Sequence, residues 1–135
     1  MCINNTASRD KPYLDNNIRW KVLRIEDGKI ISYFANKVWI QGKCERARHN
    51  KSSKLSKHKT KADIGFHVLL TKNDAKKYIE TLNDDGIIIA QIQVKGFIAA
   101  GDCYAGFWDV FKCETWRYAT ITNIYTTAGK IKKKV

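Results

Sequence analysis

Proline and methionine each occur once, at Pro12 and Met1. Beyond residue 12 nothing in the chain is barred by ring geometry from a strand or a helix. No stretch approaches the roughly twenty consecutive apolar residues that a membrane-spanning helix needs, so no membrane partner is expected. The opening "MCINNTASRDKPYLDNN" has no basic start followed by an apolar run, which speaks against a secretory signal and makes the cytoplasm the expected location. No cysteine pair has C-x-x-C spacing. The four cysteines, Cys2, Cys44, Cys103 and Cys113, are therefore read as free thiols of a reducing compartment, with Cys103 and Cys113 buried. A zinc site from Cys44, His49 and His58 has acceptable ligand types, but its spacing matches no usual zinc module and it lies among lysines that repel a cation, so no metal is expected. Carboxylates are scarce as well: 13 Asp and Glu stand against 25 Lys and Arg, a formal charge of +12. That sign excludes acidic mimicry of DNA and favours polyanionic partners.

The chain has 135 residues, of which 44% are hydrophobic, enough for one domain with a core and too few for two of ordinary size. Residues 1–17 are polar and read as a loosely held N-terminal arm. A single α+β domain is expected over 18–126, with a basic tail at 127–135. "RWKVLRIEDGKIISYF" (19–34) alternates around Asp27-Gly28 and predicts a hairpin, because a tight turn needs the positive φ that glycine supplies. Val38, Trp39 and Ile40 suggest a further short strand. Phe66–Leu70 reads as a strand, followed by a helix capped by Thr71 with Asp74 three positions on. In that helix Ala75, Tyr78, Ile79 and Leu82 form one apolar stripe, and Gly86 is expected to end it. Ile87–Val94 is a strand with Ile88, Ala90, Ile92 and Val94 on one face. In the last third, Gly96, Gly101 and Gly106 suggest bends between strands. Trp116–Tyr125 is the clearest strand there, expected to be central, with Trp116, Tyr118, Thr120, Thr122 and Ile124 sharing a face. The expected architecture is a twisted, mainly antiparallel sheet of about five to seven strands, curled toward a barrel, carrying one short helix and a long basic loop.

That loop, 43–63, is inserted in the domain and holds Lys43, Arg46, Arg48, Lys51, Lys54, Lys57, Lys59 and Lys61, with Leu55 as its one large aliphatic residue. It cannot bury itself, and its charge is of the kind that phosphate chains recruit. A solvated excursion with no ligand remains open beside this reading. Trp39, Phe107, Trp108 and Trp116 are candidates for stacking on bases, although tryptophan in a small β-rich domain more often belongs to the core. His67, in the middle of an apolar strand, is read as structural; a role in chemistry requires a polar partner such as Glu114, Asp102 or Tyr104. At Cys2, removal of Met1 would leave a thiol beside an α-amine, but no His and Asn constellation accompanies it.

The Met1-Cys2 start, "WKVLRIEDGKIISYF" with its following "KVWIQGK", and "GFHVLLTKNDAKKY" together resemble a family of small, largely uncharacterised proteins of bacteriophages and bacteria. In it an aromatic-Lys-Val-Leu-Arg strand lies near the N-terminus and a Gly-Phe-His strand precedes a short helix. The resemblance covers most of the chain apart from the basic loop and the tail. It brings no activity with it; it implies a phage accessory factor acting in the host cytoplasm on host machinery, including defence systems. A fainter resemblance is to the ADP-ribosyltransferase fold, into whose slots Arg24 or His67, Thr71 with Ala75, and Glu114 can be fitted. Position 112 is Lys112 where that family has Gln or Glu, and His67 comes too late in the chain for a first-strand histidine. The leading expectation is a non-enzymatic basic interaction protein. It would bind nucleic acid, or a nucleic-acid-handling host complex, through the loop cations and inhibit or redirect it, without a cofactor. The alternatives are an enzyme using NAD through Arg24, His67 and Glu114, and a sponge for a nucleotide messenger. Oligomeric state is not legible.

Overall fold

A computed structural model of the chain describes residues 11–33, 37–47, 65–82, 84–105 and 109–126. They form seven strands and one helix: β1 (Ile18–Glu26), β2 (Lys29–Ser32), β3 (Val38–Trp39), β4 (Cys44–Arg46), β5 (Phe66–Leu69), α1 (Lys72–Glu80), β6 (Ile87–Ala105) and β7 (Asp109–Thr126). Every strand pairing is antiparallel. The β1–β2 turn is the Asp27-Gly28 hairpin that the sequence predicts. Asp27 has φ 53° and Gly28 φ 76°, the two positive values that a two-residue turn needs to match strand twist.

β6 and β7 form one long hairpin that dominates the molecule. The expectation of shorter strands separated at Gly96 and Gly101 gives way here: both glycines lie inside β6. The ladder absorbs Gly96 by bending. Gly96 has φ 74°, and the register shifts between Gln91 and Ile92 and again between Phe97 and Ala99. Such irregularities increase local twist and re-aim side chains. They also overturn the expected face of β7. Trp116, Ala119 and Ile121 share the core, so simple alternation fails at Arg117 and Tyr118, opposite Gly96 and Lys95.

β1 pairs with β6 along one edge and with β2 and β5 along the other, while β7 pairs with β6 on one edge and with β5 and β4 on the other. β7 is therefore central, as expected. The path β1–β6–β7–β5 returns on itself through the single pair Trp20↔Leu69, so the sheet, expected to curl toward a barrel, is partly ring-like without being a barrel.

Apolar residues fill both faces of the strands. One cluster holds Leu23, Val68, Ala90, Ile92, Val94, Trp116 and Ile121. The other holds Val22, Leu69, Ile89, Cys103, Phe111 and Cys113 and is covered by Ala75, Tyr78 and Ile79 of α1. A near-continuous run such as Ile87-Ile88-Ile89-Ala90 is what burial on both faces demands. Thr71 caps α1 as its sequence predicts, its hydroxyl accepting from the Asp74 N–H at 3.0 Å. The C-terminal end differs from expectation. The helix stops at Thr81, whose hydroxyl donates to the Tyr78 carbonyl at 2.6 Å, and Gly86 instead turns the chain into β6 with φ 74°.

Candidate nucleic-acid interface

The charged groups fall into two settings. At one end of the ring Arg19 and Glu114 are both fully buried and ion-paired. Glu114 Oε1 accepts from Arg19 Nε and, at 2.9 Å, from the indole N–H of Trp116, while Oε2 accepts from the backbone N–H of Tyr13 at 2.6 Å. Arg19 also donates to the carbonyls of Leu14, Asn16 and Ile18 and to the Asn16 side chain. A buried ion pair persists only when its remaining donors and acceptors are satisfied, and here they are. The pair fastens residues 13–16 across the end of the sheet, and Val94 N–H donates to the Asn17 carbonyl at 2.9 Å. This part of the arm is thus held, not loose.

That arrangement bears directly on the residues proposed for an NAD-using enzyme. Glu114 is saturated by structural donors. Arg24 lies five residues beyond Arg19 on β1, about 17 Å away at ~3.4 Å per residue, and pairs with Glu26 near the hairpin. His67 neighbours Val68, the register partner of Glu114, so its side chain projects to the opposite face; its carbonyl accepts from the Lys21 ammonium at 2.7 Å. Thr71 and Ala75 serve as cap and core. The structure does not bring Arg24, His67 and Glu114 together.

Lys21 is the intermediate case. It is half-buried, and desolvation pulls its pKa down from 10.5 to about 8. Burial and the neighbouring Cys103 thiol push the Cys113 thiol far up, so this cysteine stays protonated and unreactive. Cys103 and Cys113 are free and buried as expected; Cys44 is exposed, and Cys2 lies outside the described residues.

The outer surface of β4, β7 and β6 is the second setting. The register sets Arg46 opposite Tyr118 and Tyr118 opposite Lys95, one cross-strand row with a half-buried aromatic between two exposed cations. The next row on the same face is Cys44, Thr120 and Gln93. Arg117 follows along β7. Among the described residues no carboxylate pairs with Arg46, Lys95 or Arg117. Glu45 engages Lys37 at 3.0 Å and approaches Lys43 at 4.0 Å, so Lys43 shares one carboxylate with Lys37, unlike Arg46. Tyr118 lies against Gly96: a Cβ built there would stand 3.4 Å from its Cδ2 and 3.1 Å from the Cβ of Arg117. The bare glycine lets the ring lean on backbone, which restricts its motion.

The basic segment leaves the sheet beside this row. Ala47 N–H donates to the Arg117 carbonyl at 2.8 Å, and the chain re-enters at Gly65 and Phe66, the latter opposite Trp116. Both roots of residues 48–64 are thus pinned to one edge of β7 at consecutive positions. The predicted Arg48, Lys51, Lys54, Lys57, Lys59 and Lys61 lie outside the described residues, as do His49, His58, Phe107 and Trp108. Trp39 and Trp116, the other stacking candidates, are 2% and 5% exposed and belong to the core. Tyr118 is the aromatic on the basic face. Alternation in sequence misplaced it beside Trp116, and the clue in the sequence was Lys95-Gly96, a cation and a glycine interrupting an apolar strand.

Among the described residues no group of three or more His, Cys, Asp or Glu is gathered for a metal ion, and no helix is long and apolar enough to cross a membrane. No family model, curated protein or solved structure matches the chain.

Proposed function

We propose that this protein binds nucleic acid, alone or within a nucleic-acid-handling host complex, through the outer face of β4–β7–β6 together with the basic segment rooted there, and acts by occupying that target rather than by catalysis. One observation carries the reading: among the described residues Arg46 and Lys95 stand exposed and without carboxylate partners in one cross-strand row, while the buried Arg19 is fully matched. An unpaired exposed cation keeps its attraction for phosphate and releases counterions on binding, whereas a matched one has nothing left to offer.

The distribution of charge supports a shared role for the face and the segment. The described residues contain 14 Lys or Arg against 11 Asp or Glu, so only +3 of the chain's +12 rests on them. Residues 48–64 alone carry six Lys or Arg against one Asp. Residues 127–135 add four Lys, so the segment, at +5, supplies the largest single share of the attraction while the sheet supplies orientation, largely without reading sequence.

The test is fluorescence anisotropy with labelled oligonucleotides across a salt series, comparing the parent with a variant carrying Lys51, Lys54, Lys57 and Lys59 replaced by Ser. The reading expects weaker binding and a shallower dependence of log K on log salt, by about 0.7 to 0.9 for each phosphate that the variant no longer neutralises. Unchanged affinity and slope would remove the segment from the footprint. Absence of binding to any oligonucleotide at low salt would remove the function itself.

A further inference from the structure

We infer that the Arg46–Tyr118–Lys95 row takes a single strand of nucleic acid, DNA or RNA, with one unpaired base stacked on Tyr118 and backbone phosphates held by the two flanking cations. The inference rests on the function proposed above and specifies its substrate class. Three features of the row point to it. Adjacent strands lie about 4.8 Å apart, so the backbone positions of Arg46 and Lys95 are roughly 10 Å apart with Tyr118 midway, leaving room for a base between the two cationic side chains. The tyrosine ring is held against Gly96, so little freedom is lost when a base packs on it. The neighbouring row, Cys44–Thr120–Gln93, places an exposed carboxamide and a hydroxyl beside the stacking position, where they can meet sugar or base edges.

A duplex does not use this arrangement. Its base faces are covered by their neighbours in the stack, and a side chain rising from a sheet reaches only the phosphates. The aromatic therefore adds nothing to duplex binding, and the cations favour the duplex slightly, by about 0.9 against about 0.7 in salt slope for each phosphate neutralised. The preference for a single strand comes from Tyr118 alone.

The experiment measures affinity at fixed salt for labelled dT and U 12-mers, for a 12-base-pair duplex and for inorganic polyphosphate as competitor, with the parent, Tyr118→Phe and Tyr118→Leu. The expected result is a preference of about tenfold for the single strands in the parent, kept by Tyr118→Phe and lost in Tyr118→Leu. Duplex and polyphosphate affinities should be the same in all three, which also shows that the surface survives the substitution. Equal affinity of the parent for single strand and duplex, or a parallel loss for both in Tyr118→Leu, would overturn the inference while leaving nucleic-acid binding standing. Binding of polyphosphate alone, or of none of the probes, would overturn the functional reading and this inference with it.

Discussion

Glu114 and Tyr118 stand four residues apart on β7, yet their surroundings assign charge opposite tasks. Around Glu114 each carboxylate oxygen has a donor and the partner guanidinium is spent on backbone carbonyls, so the charges there fasten the N-terminal residues and hold the end of the sheet. Around Tyr118 the cations are exposed and unmatched. The difference teaches that burial with full pairing marks charge used for architecture, and exposure without pairing marks charge kept for a partner. Lys21, half-buried with one carbonyl acceptor, stands between the two.

Disruption of the buried pair should have the largest effect. Glu114→Gln leaves the Arg19 guanidinium buried without its counter-charge and is expected to cost about 3–5 kcal/mol in urea unfolding. The paired change Arg19→Met with Glu114→Leu should cost less than Glu114→Gln alone, because no charge is then stranded. Equal losses would show that the pair's value lies in packing. Next in size, Ile92→Ala in the fully buried core should cost about 2–5 kcal/mol from reduced burial and the cavity left behind, without altering oligonucleotide affinity of the folded fraction.

The intermediate case is read through pH. Because Lys21 has its pKa lowered to about 8 when folded, the unfolded chain holds more protons between about pH 8 and 10.5, and this residue's contribution to stability rises with pH through that window. Lys21→Met removes the contribution. The stability difference should favour the Met variant most at and below pH 8 and shrink as pH climbs toward 10.5. A difference constant across the window would mean that Lys21 is as well solvated in the folded protein as in the unfolded chain. The smallest effect on stability belongs to the exposed row: Arg46→Ser and Lys95→Ser should each change unfolding free energy by no more than about 0.5 kcal/mol. Each should nonetheless lower the salt slope of nucleic-acid binding by about one.

Much of this fold is legible in the sequence where local chemistry dictates local geometry. Asp27-Gly28, the Thr71 cap, the Ala75–Tyr78–Ile79 stripe and the alternation of Ile88, Ala90 and Ile92 all act within a few residues of themselves. What escapes is set by distant parts of the chain. Glu114 acquires its meaning from Arg19 and Tyr13, about a hundred residues away, and no spacing rule announces such a pair. Period-two reading of β7 fails at Arg117 and Tyr118 because the irregularity that resets it lies on β6, at Gly96. The cationic loop is visible as composition. Its attachment beside Tyr118 depends on β4 and β5 sharing one edge of β7, a property of topology.

The most direct test of where the partner binds is amide chemical-shift mapping during titration with a short single-stranded oligonucleotide. Among the described residues, the largest shifts are expected on 44–47, 93–96 and 117–120, with Arg19, Glu114 and the residues of α1 undisturbed. Shifts concentrated on α1, Trp20 and Tyr125, or around Arg19 and Glu114, would contradict this placement.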